Sequence, residues 1–346
     1  MGKRRSEPAE PVEAEIPLGK YLASTEKRVR DRAIRSLAAF VLKSAEETGL
    51  SLEPKELSKL WKGIFYCYWM SDKPLVQQQL AQELANLVLM IAGIKMDAAG
   101  ERIERVPSKV DDTARALAAL DFFQGFWSTV HSEWHGVDKF RINKYYLLMR
   151  RFVHAGLQLL ALHGYPSILV QRFNAIMRGT DGPLSSNNVR VPDSITYHVC
   201  DIFLDEVEHS LVELEDTDVT VPILELLSPF MELAATSQSK RMFERVMASV
   251  LTPFLSECER RASHDMQDRK RRRVESEASE PLYDSIFSRV QAEADDDEDD
   301  EDNTMASIHK QALQRVVAVA SGSDTYAPSR RKLYDLWKTA QERDVS

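Results

Sequence analysis

The feature that most constrains this sequence is the helical spacing of its apolar residues, which recurs in segment after segment. One stripe steps by three or four residues through a single predicted helix, as expected for a helix facing a core. It comprises Leu117, Leu120, Phe123, Trp127, Val130 and Trp134. The sequence predicts nine helices, at about residues 25–47, 54–70, 72–94, 108–134, 138–162, 166–177, 192–213, 222–235 and 239–262.

No segment is a convincing strand. Residues 189–191 and 217–221 are short and rich in Val or Thr, and we interpret them as linkers. Short connections between long helices favour antiparallel neighbours. The predicted fold is therefore all-α, an irregular HEAT-like stack of antiparallel helical hairpins. A repeat period of about 40 to 47 residues is not evident, so a compact non-repeating bundle is the alternative.

The charge pattern divides the chain into three predicted parts. Residues 1–16 form a flexible N-terminus, residues 17–264 the helical domain, and residues 265–346 a charged, partly disordered tail. Nine acids and no bases lie between Glu293 and Asp302, and they account for the whole formal net charge of −9. Short helices near residues 282–290, 308–319 and 331–339 are expected to dock on the body or on a partner.

Several classes of protein are disfavoured. The three cysteines (Cys67, Cys200 and Cys258) are far apart, which argues against a disulfide framework and fits a reducing compartment. We predict no membrane contact, because no apolar run approaches the roughly 18 residues of a spanning helix, and residues 1–15 do not resemble a secretory signal.

No catalytic residue, metal or cofactor is predicted. Phosphate-binding loops, dinucleotide fingerprints and nucleophile elbows are missing from the sequence. The string HSEWH places His131 and His135 on one helix face but Glu133 on another, unlike the metalloprotease motif, and it lacks a third ligand. An RNA-cleaving enzyme remains an alternative, although acids cluster only in the tail.

Basic residues form two helical rows that could follow RNA phosphates. The first row is Arg28, Arg32 and Arg35; the second is Lys139, Arg141, Lys144, Arg150 and Arg151. The alternative is a solvated face with local ion pairs, which Glu26 and Asp31 would allow. A third cluster resembles a nuclear localisation signal. It comprises Arg269, Lys270, Arg271, Arg272 and Arg273.

Aromatic residues concentrate at 61–69 and 122–146, where helical spacing favours a core. These blocks contain the strings LWKGIFYCYWMSDKPLVQQQL (60–80) and FWSTVHSEWHGVDKFRINKYYLLMR (126–150), and VRDRA (29–33) precedes them. They resemble the eukaryotic nucleolar ribosomal RNA processing protein 1 family. The resemblance extends from Ser24 to Arg151 and fades toward Ala262, with mild departures at Asn143 and Tyr145.

The resemblance implies a factor of the nucleus and nucleolus that acts in large ribosomal subunit assembly. Its implied partners are the pre-ribosomal particle, pre-rRNA bound directly or through neighbours, and assembly factors including a Brix-domain protein and a β-propeller protein. It implies a scaffold that holds RNA and proteins while other factors cut. The alternative is a generic HEAT-like adaptor for proteins, without RNA contact.

The motif residues divide into structural and recognition candidates. We expect Asp72 to cap the third helix, Gly63 to allow a close helix approach, and Trp127, Trp134 and Tyr145 to join the fourth and fifth helices. The structural set is Trp61, Gly63, Tyr66, Trp69, Asp72, Pro74, Trp127, Trp134, Gly136, Asp138 and Tyr145. The RNA or partner candidates are Arg28, Arg32, Arg35, Lys62, Lys73, Gln78, Lys139, Arg141, Lys144 and Arg151.

Overall fold

The computed structural model describes most of the chain. The described residues are 18–22, 24–47, 53–96, 102–186, 192–214, 218–270, 282–291 and 305–344. The predicted flexible N-terminus, the linker at 189–191, Arg271–Arg273 and the acidic run lie outside them.

The described residues are almost entirely helical. In chain order the helices begin with α1 (Leu18–Leu22), α2 (Lys27–Glu47), α3 (Pro54–Trp69), α4 (Pro74–Ile91), α5 (Asp112–Glu133), α6 (Ile142–Leu162) and α7 (Ser167–Arg178). They continue with α8 (Asp193–Val212), α9 (Ile223–Thr236), α10 (Lys240–Val246), α11 (Thr252–Lys270), α12 (Asp284–Phe287), α13 (Met305–Ala320) and α14 (Ala327–Asp344). The single helix predicted at 239–262 is α10, a π-helical turn at Met247–Leu251, and α11.

The helices form two layers. Each of α1, α3, α5, α7 and α9 packs against the next member of that series, and α2, α4, α6, α8 and α10 do the same in the second layer. The apolar stripes of both layers meet in one continuous core. This arrangement confirms the predicted all-α stack of helical hairpins.

Local sequence explains where several helices begin. The Asp111 side chain accepts a hydrogen bond from the Ala114 N–H, at 3.0 Å, and so caps α5. Ser239 caps α10 in the same way, and Pro54 and Pro74 occupy first-turn positions of α3 and α4. The expected capping role of Asp72 is wrong: Lys73 holds the N-cap position, without a side-chain cap, and Asp72 is exposed.

The expectation of no strand needs one correction. A two-stranded antiparallel hairpin, β1 (Ile94–Met96) and β2 (Arg102–Arg105), separates α4 from α5. The chain leaves α4 at Gly93, whose φ of 81° lies in the left-handed region that favours glycine. Helix α4 therefore ends at Ile91 rather than Ile94, and α5 begins at Asp112 rather than Ser108.

The helices after residue 282 pack on the body. Helix α12 contacts α8, α13 contacts α9 and α11, and α14 contacts α13 and α9. The Tyr326 N–H also donates to the Ala235 carbonyl, at 2.8 Å. These short helices were expected to dock either on the body or on a partner, and in the structure they dock on the body. Within the described ranges, no helix is both long and apolar enough to cross a membrane.

Candidate partner interface at the turn edge

The two tryptophan-rich strings meet in space through α3 and α6. The Tyr145 ring stacks on Phe65, with ring centroids 4.7 Å apart, and its hydroxyl donates to the Phe65 carbonyl at 3.0 Å. The Tyr68 hydroxyl returns a hydrogen bond to the Lys144 carbonyl, at 2.8 Å. Tyr145 therefore joins the third helix to the sixth more directly than it joins α5 to α6, where its contact with Trp134 is longer, at 6.5 Å.

Most motif aromatics belong to the core. Trp61 lies 4.4 Å from Phe122 and 5.5 Å from Phe152, measured between ring centroids. Trp61 and Trp127 are both 2 % exposed, which leaves neither ring free to stack on a nucleic acid base. Burial of such large rings stabilises the stack, since each removes a large apolar area from water.

Two glycines make this packing possible. A Cβ on Gly63 would lie 2.8 Å from the Gly19 Cα, so the expected close helix approach is confirmed, and the approaching helix is α1. A Cβ on Gly125 would lie 2.3 Å from the Trp61 Nε1. Gly125 was not singled out from the sequence, although a glycine inside a strongly helical stretch is itself a signal of close packing.

Lys144 fixes the turn between α3 and α4. Its side chain is buried, and its ammonium donates to the carbonyls of Trp69, at 2.6 Å, and Ser71, at 2.9 Å. Burial lowers the pKa of Lys144 to about 8. Lys144 was a candidate for binding RNA or a partner, but in the structure it binds backbone instead.

Polar side chains form ion pairs and hydrogen bonds near this turn. The Arg141 guanidinium lies over the Trp69 ring, 4.8 Å from its centroid, and pairs with Asp138. The Tyr66 hydroxyl donates to Glu133, at 2.8 Å, and this hydrogen bond raises the pKa of Tyr66. Lys62 lies 3.2 Å from the other oxygen of the same carboxylate. Lys62 and Arg141 thus have acidic partners on this surface.

Two apolar side chains project into solvent here: Leu75 from the start of α4, and Phe140 from the connection that precedes α6. Phe140 is 84 % exposed and Leu75 is 79 % exposed, the highest values among large apolar residues in the described part of the chain. Lys73 and Lys139 beside them are also exposed. Arg141 over Trp69 and Lys144 on the Ser71 carbonyl make these two segments neighbours. We call their exposed residues the turn edge, defined by Asp72, Lys73, Leu75, Lys139 and Phe140. Sequence reasoning missed Phe140 and Leu75, because exposure cannot be read from residue type.

The second basic row is not one exposed row. Arg150 pairs with Glu206 and lies 3.6 Å from Asp205, while Arg151 is half-buried. Of its five members, only Lys139 is fully exposed. The row therefore does not present a continuous phosphate-binding face in this structure.

The first basic row keeps its exposed face. Arg28, Arg32 and Arg35 are exposed on α2, and none makes an ion pair with a carboxylate among the described residues. Asp31, the nearest expected partner, pairs with Lys27 at 2.5 Å. Gln78 on α4 is exposed too. Arg269 and Lys270 fall at the end of α11, and the other three members of the basic run lie outside the described residues.

His131 and Glu133 of the HSEWH string have other partners. His131 Nδ1 lies 3.4 Å from Asp181, and Glu133 binds Tyr66 and Lys62. No group of three potential metal ligands was found in the parts of the chain that the structure describes. Gly136 follows Trp134 in a short 3-10 helix at the end of α5.

Comparison with known proteins identifies the family. The profile described as "Nucleolar protein, Nop52" matches residues 13–336, so the likeness extends beyond the two strings and into the tail. The human ribosomal RNA processing protein 1 homolog B is 30 % identical over 70 % of this chain and 29 % of its own length. The mouse homolog A is 27 % identical over 79 % of this chain and 50 % of its own length. The human homolog A is 25 % identical over 95 % of this chain and 70 % of its own length.

The matched region therefore spans between 29 % and 70 % of the length of these relatives. The match to the family profile covers most residues of this chain. The chain belongs to the Nop52 family of nucleolar proteins.

Proposed function

We propose that this chain is a non-catalytic nucleolar scaffold in ribosomal RNA processing and large ribosomal subunit assembly. Two findings support the role: membership of a nucleolar protein family, and relatives named ribosomal RNA processing protein 1 homologs. The proposal includes pre-rRNA and other assembly factors, among them a Brix-domain and a β-propeller protein, as partners. The basic run from Arg269 to Arg273 would direct import into the nucleus.

The turn edge is the observation that carries the scaffold proposal. Exposed Phe140 and Leu75 are the kind of apolar anchors that fill pockets on a partner. The buried Lys144 ammonium and the Tyr145 stack hold the two neighbouring turns in fixed positions. A preformed surface loses little conformational entropy on binding, so a small apolar patch can bind usefully.

The scaffold role needs no reacting group on this chain. It requires that two or more partners be held in fixed relative positions, which an extended stack of helices provides through surfaces at different points along its length. In this proposal, the buried residues of the two tryptophan-rich strings keep the turn edge rigid, and its exposed side chains contact the partners.

Substitution at the turn edge tests this proposal. In cells that express the tagged full chain, Phe140→Asp with Leu75→Asp should shift it from large-subunit precursor fractions to light fractions of a sucrose gradient. The matched control is Val212→Asp with Ile168→Asp, which alters exposed apolar residues on α8 and α7. Equal thermal melting of all three proteins would show that folding is intact. Unchanged sedimentation of the turn-edge variant would refute the proposal.

The two alternatives give different results. An RNA-cleaving enzyme would shorten a pre-rRNA fragment when the purified chain is incubated with it and Mg²⁺. A protein adaptor without RNA contact would keep its protein partners after the purified complexes are treated with ribonuclease, and would carry no cross-linked RNA.

A further inference from the structure

A groove lies at the N-terminal end of the stack, between α1 and α2. Its volume is about 780 Å³, and apolar side chains that include Leu18, Tyr21 and Ala33 line it. Arg28, Arg32 and Arg35 stand along one side. Tyr21 is 41 % exposed, so part of its ring is open to the groove.

The three arginines form a row on the outward face of α2. Positions i, i+4 and i+7 fall within one narrow arc of a helix, and they span roughly 10 Å along its axis. The buried residues Ile34, Leu37 and Val41 lie on the opposite face. The row is thus presented to solvent, beside the groove and away from the core.

The groove carries an excess of positive charge. Asp31 also lines it, but its carboxylate is offset by Lys27 at 2.5 Å. Arg30 points elsewhere, because it is buried and donates to the carbonyls of Ser24, at 2.9 Å, and Thr25, at 3.0 Å. Three guanidinium groups therefore remain without carboxylate partners among the described residues of this end.

We infer that this groove binds a single-stranded RNA segment, with the arginines on successive phosphates and Tyr21 against a base. Guanidinium groups match phosphate oxygens in a fixed fork geometry. Single-stranded RNA combines the two features found here, since its backbone is anionic and its unstacked bases pack on aromatic rings. A duplex keeps its bases stacked and would leave the tyrosine unused.

This inference rests on the proposed function and deepens it, because it assigns direct contact with RNA to one groove of this chain. The two proposals can also be tested by separate experiments. Binding of RNA by the purified chain is independent of the turn edge, whereas sedimentation with the particle depends on protein partners. Failure of either result therefore leaves the other interpretable.

Fluorescence anisotropy of the purified full chain tests the site. The probe is a labelled mixed-sequence RNA of about 10 nucleotides. We expect the variant Arg28→Gln, Arg32→Gln, Arg35→Gln to bind at least tenfold more weakly at about 0.1 M salt, and the slope of log Kd against log salt to fall by about 2. The matched control removes three exposed charges elsewhere: Lys109, Arg241 and Arg331, each replaced by Gln. It should bind within twofold of the parent.

Further variants separate the two contributions. Tyr21→Leu should weaken binding about fivefold without changing the salt slope, since stacking displaces no counterions. Arg32→Lys should retain more affinity than Arg32→Glu, which reverses the charge at one exposed position and serves if the triple variant does not fold. Equal losses in the triple variant and its control would overturn the inference. So would displacement of the RNA by polyglutamate at equal charge concentration, which would indicate an acidic peptide site.

Discussion

The buried side chain of His154 on α6 is 7 % exposed and lies between the carboxylates of Glu206, on α8, and Glu213, directly after α8. Its Nδ1 is 3.1 Å from Glu206 and its Nε2 is 3.2 Å from Glu213. Glu206 is itself buried and also pairs with Arg150. Burial acts to lower the pKa of His154, but the nearby carboxylates of Glu206 and Glu213 outweigh it and raise this pKa to about 9.

His154 should make stability depend on pH above neutrality. Its folded pKa exceeds the unfolded value of about 6.5, so the folded state binds more protons between pH 6.5 and 9. The stabilisation is complete below pH 6.5 and is lost as the pH rises. We expect the free energy of unfolding, measured with urea, to fall by about 2 kcal/mol between pH 6.5 and 8.

His154→Gln is the control for this slope and should remove most of it. The upper limit of pH 8 is set by Lys144, whose folded pKa of about 8 lies below its unfolded value. Above pH 8 the unfolded state therefore binds more protons at Lys144, which contributes a slope of opposite sign. An equal slope in the parent and in His154→Gln would exclude His154 as its source.

Single residues also show what the sequence could and could not reveal. The charge of Lys144 predicts a surface position, yet Lys144 lies four residues before Leu148 and eight before Phe152, on the buried face of α6. Its position in the helical pattern correctly indicates burial, whereas its charge wrongly suggests exposure. Asp72 shows the reverse case, since a residue type that favours caps lies one position too early. Backbone partners of such groups depend on tertiary contacts that no local pattern contains.

At the scale of helices, the close contact between Gly63 of α3 and Gly19 of α1 determines how α1 packs. Gly63→Ala should displace α1 from α3, because the added Cβ would lie 2.8 Å from the Gly19 Cα and 2.9 Å from its carbonyl oxygen. Backbone atoms cannot yield as a flexible side chain can, so we expect a loss of about 2 kcal/mol in the free energy of unfolding. Hydrogen exchange of Leu18–Leu22 would also become faster.

Gly136→Ala is the matched control for this change. A Cβ there meets nothing within 4 Å, and its backbone is not in the left-handed region. We expect that variant to unfold within about 0.5 kcal/mol of the parent. If Gly63→Ala were equally neutral, α1 would not be held by the close backbone contact.

Ion pairs join neighbouring helices at several points along both layers. Exposed pairs of this kind contribute at most about 1 kcal/mol each, so their regular placement is the more informative feature. They join α3 to α5, α5 to α7, α7 to α9 and α8 to α10. The pairs are Lys62–Glu133, Arg172–Asp121, Arg178–Glu232 and Arg245–Asp201.

The helices were largely predictable, and the β-hairpin was not. Apolar periodicity located the long helices of the body to within a few residues, because each must bury a stripe. The second strand, Arg102–Arg105, has only one apolar residue and no alternation. Its position depends on tertiary contacts instead: the buried Arg115 donates to the Val106 carbonyl at 3.1 Å, and the Val106 N–H donates to Gly93 at 2.7 Å.

At the scale of the molecule, the terminal helices of a stack need something to cover their outer apolar sides. Interior helices bury both sides against neighbours, whereas the last pair would leave one apolar side in water. The α13–α14 hairpin meets this need at the C-terminal end by packing on α9 and α11. Ile308 is 0 % exposed and Val316 is 1 % exposed, so this part of the tail belongs to the folded core.

Removal of residues 305–346 should therefore expose apolar surface on α9 and α11 and make the chain associate. Because each helix pair contacts mainly its neighbours, the loss should stay local. We expect hydrogen exchange to accelerate in α9 and α11 while α3 and α4 keep their protection, and light scattering to rise with concentration. The control is the full chain carrying Arg331→Gln and Lys338→Gln, which alters only the exposed side of α14 and should stay monodisperse. A monodisperse truncated chain with unchanged protection in α9 would mean that the hairpin is an appendage rather than a cap.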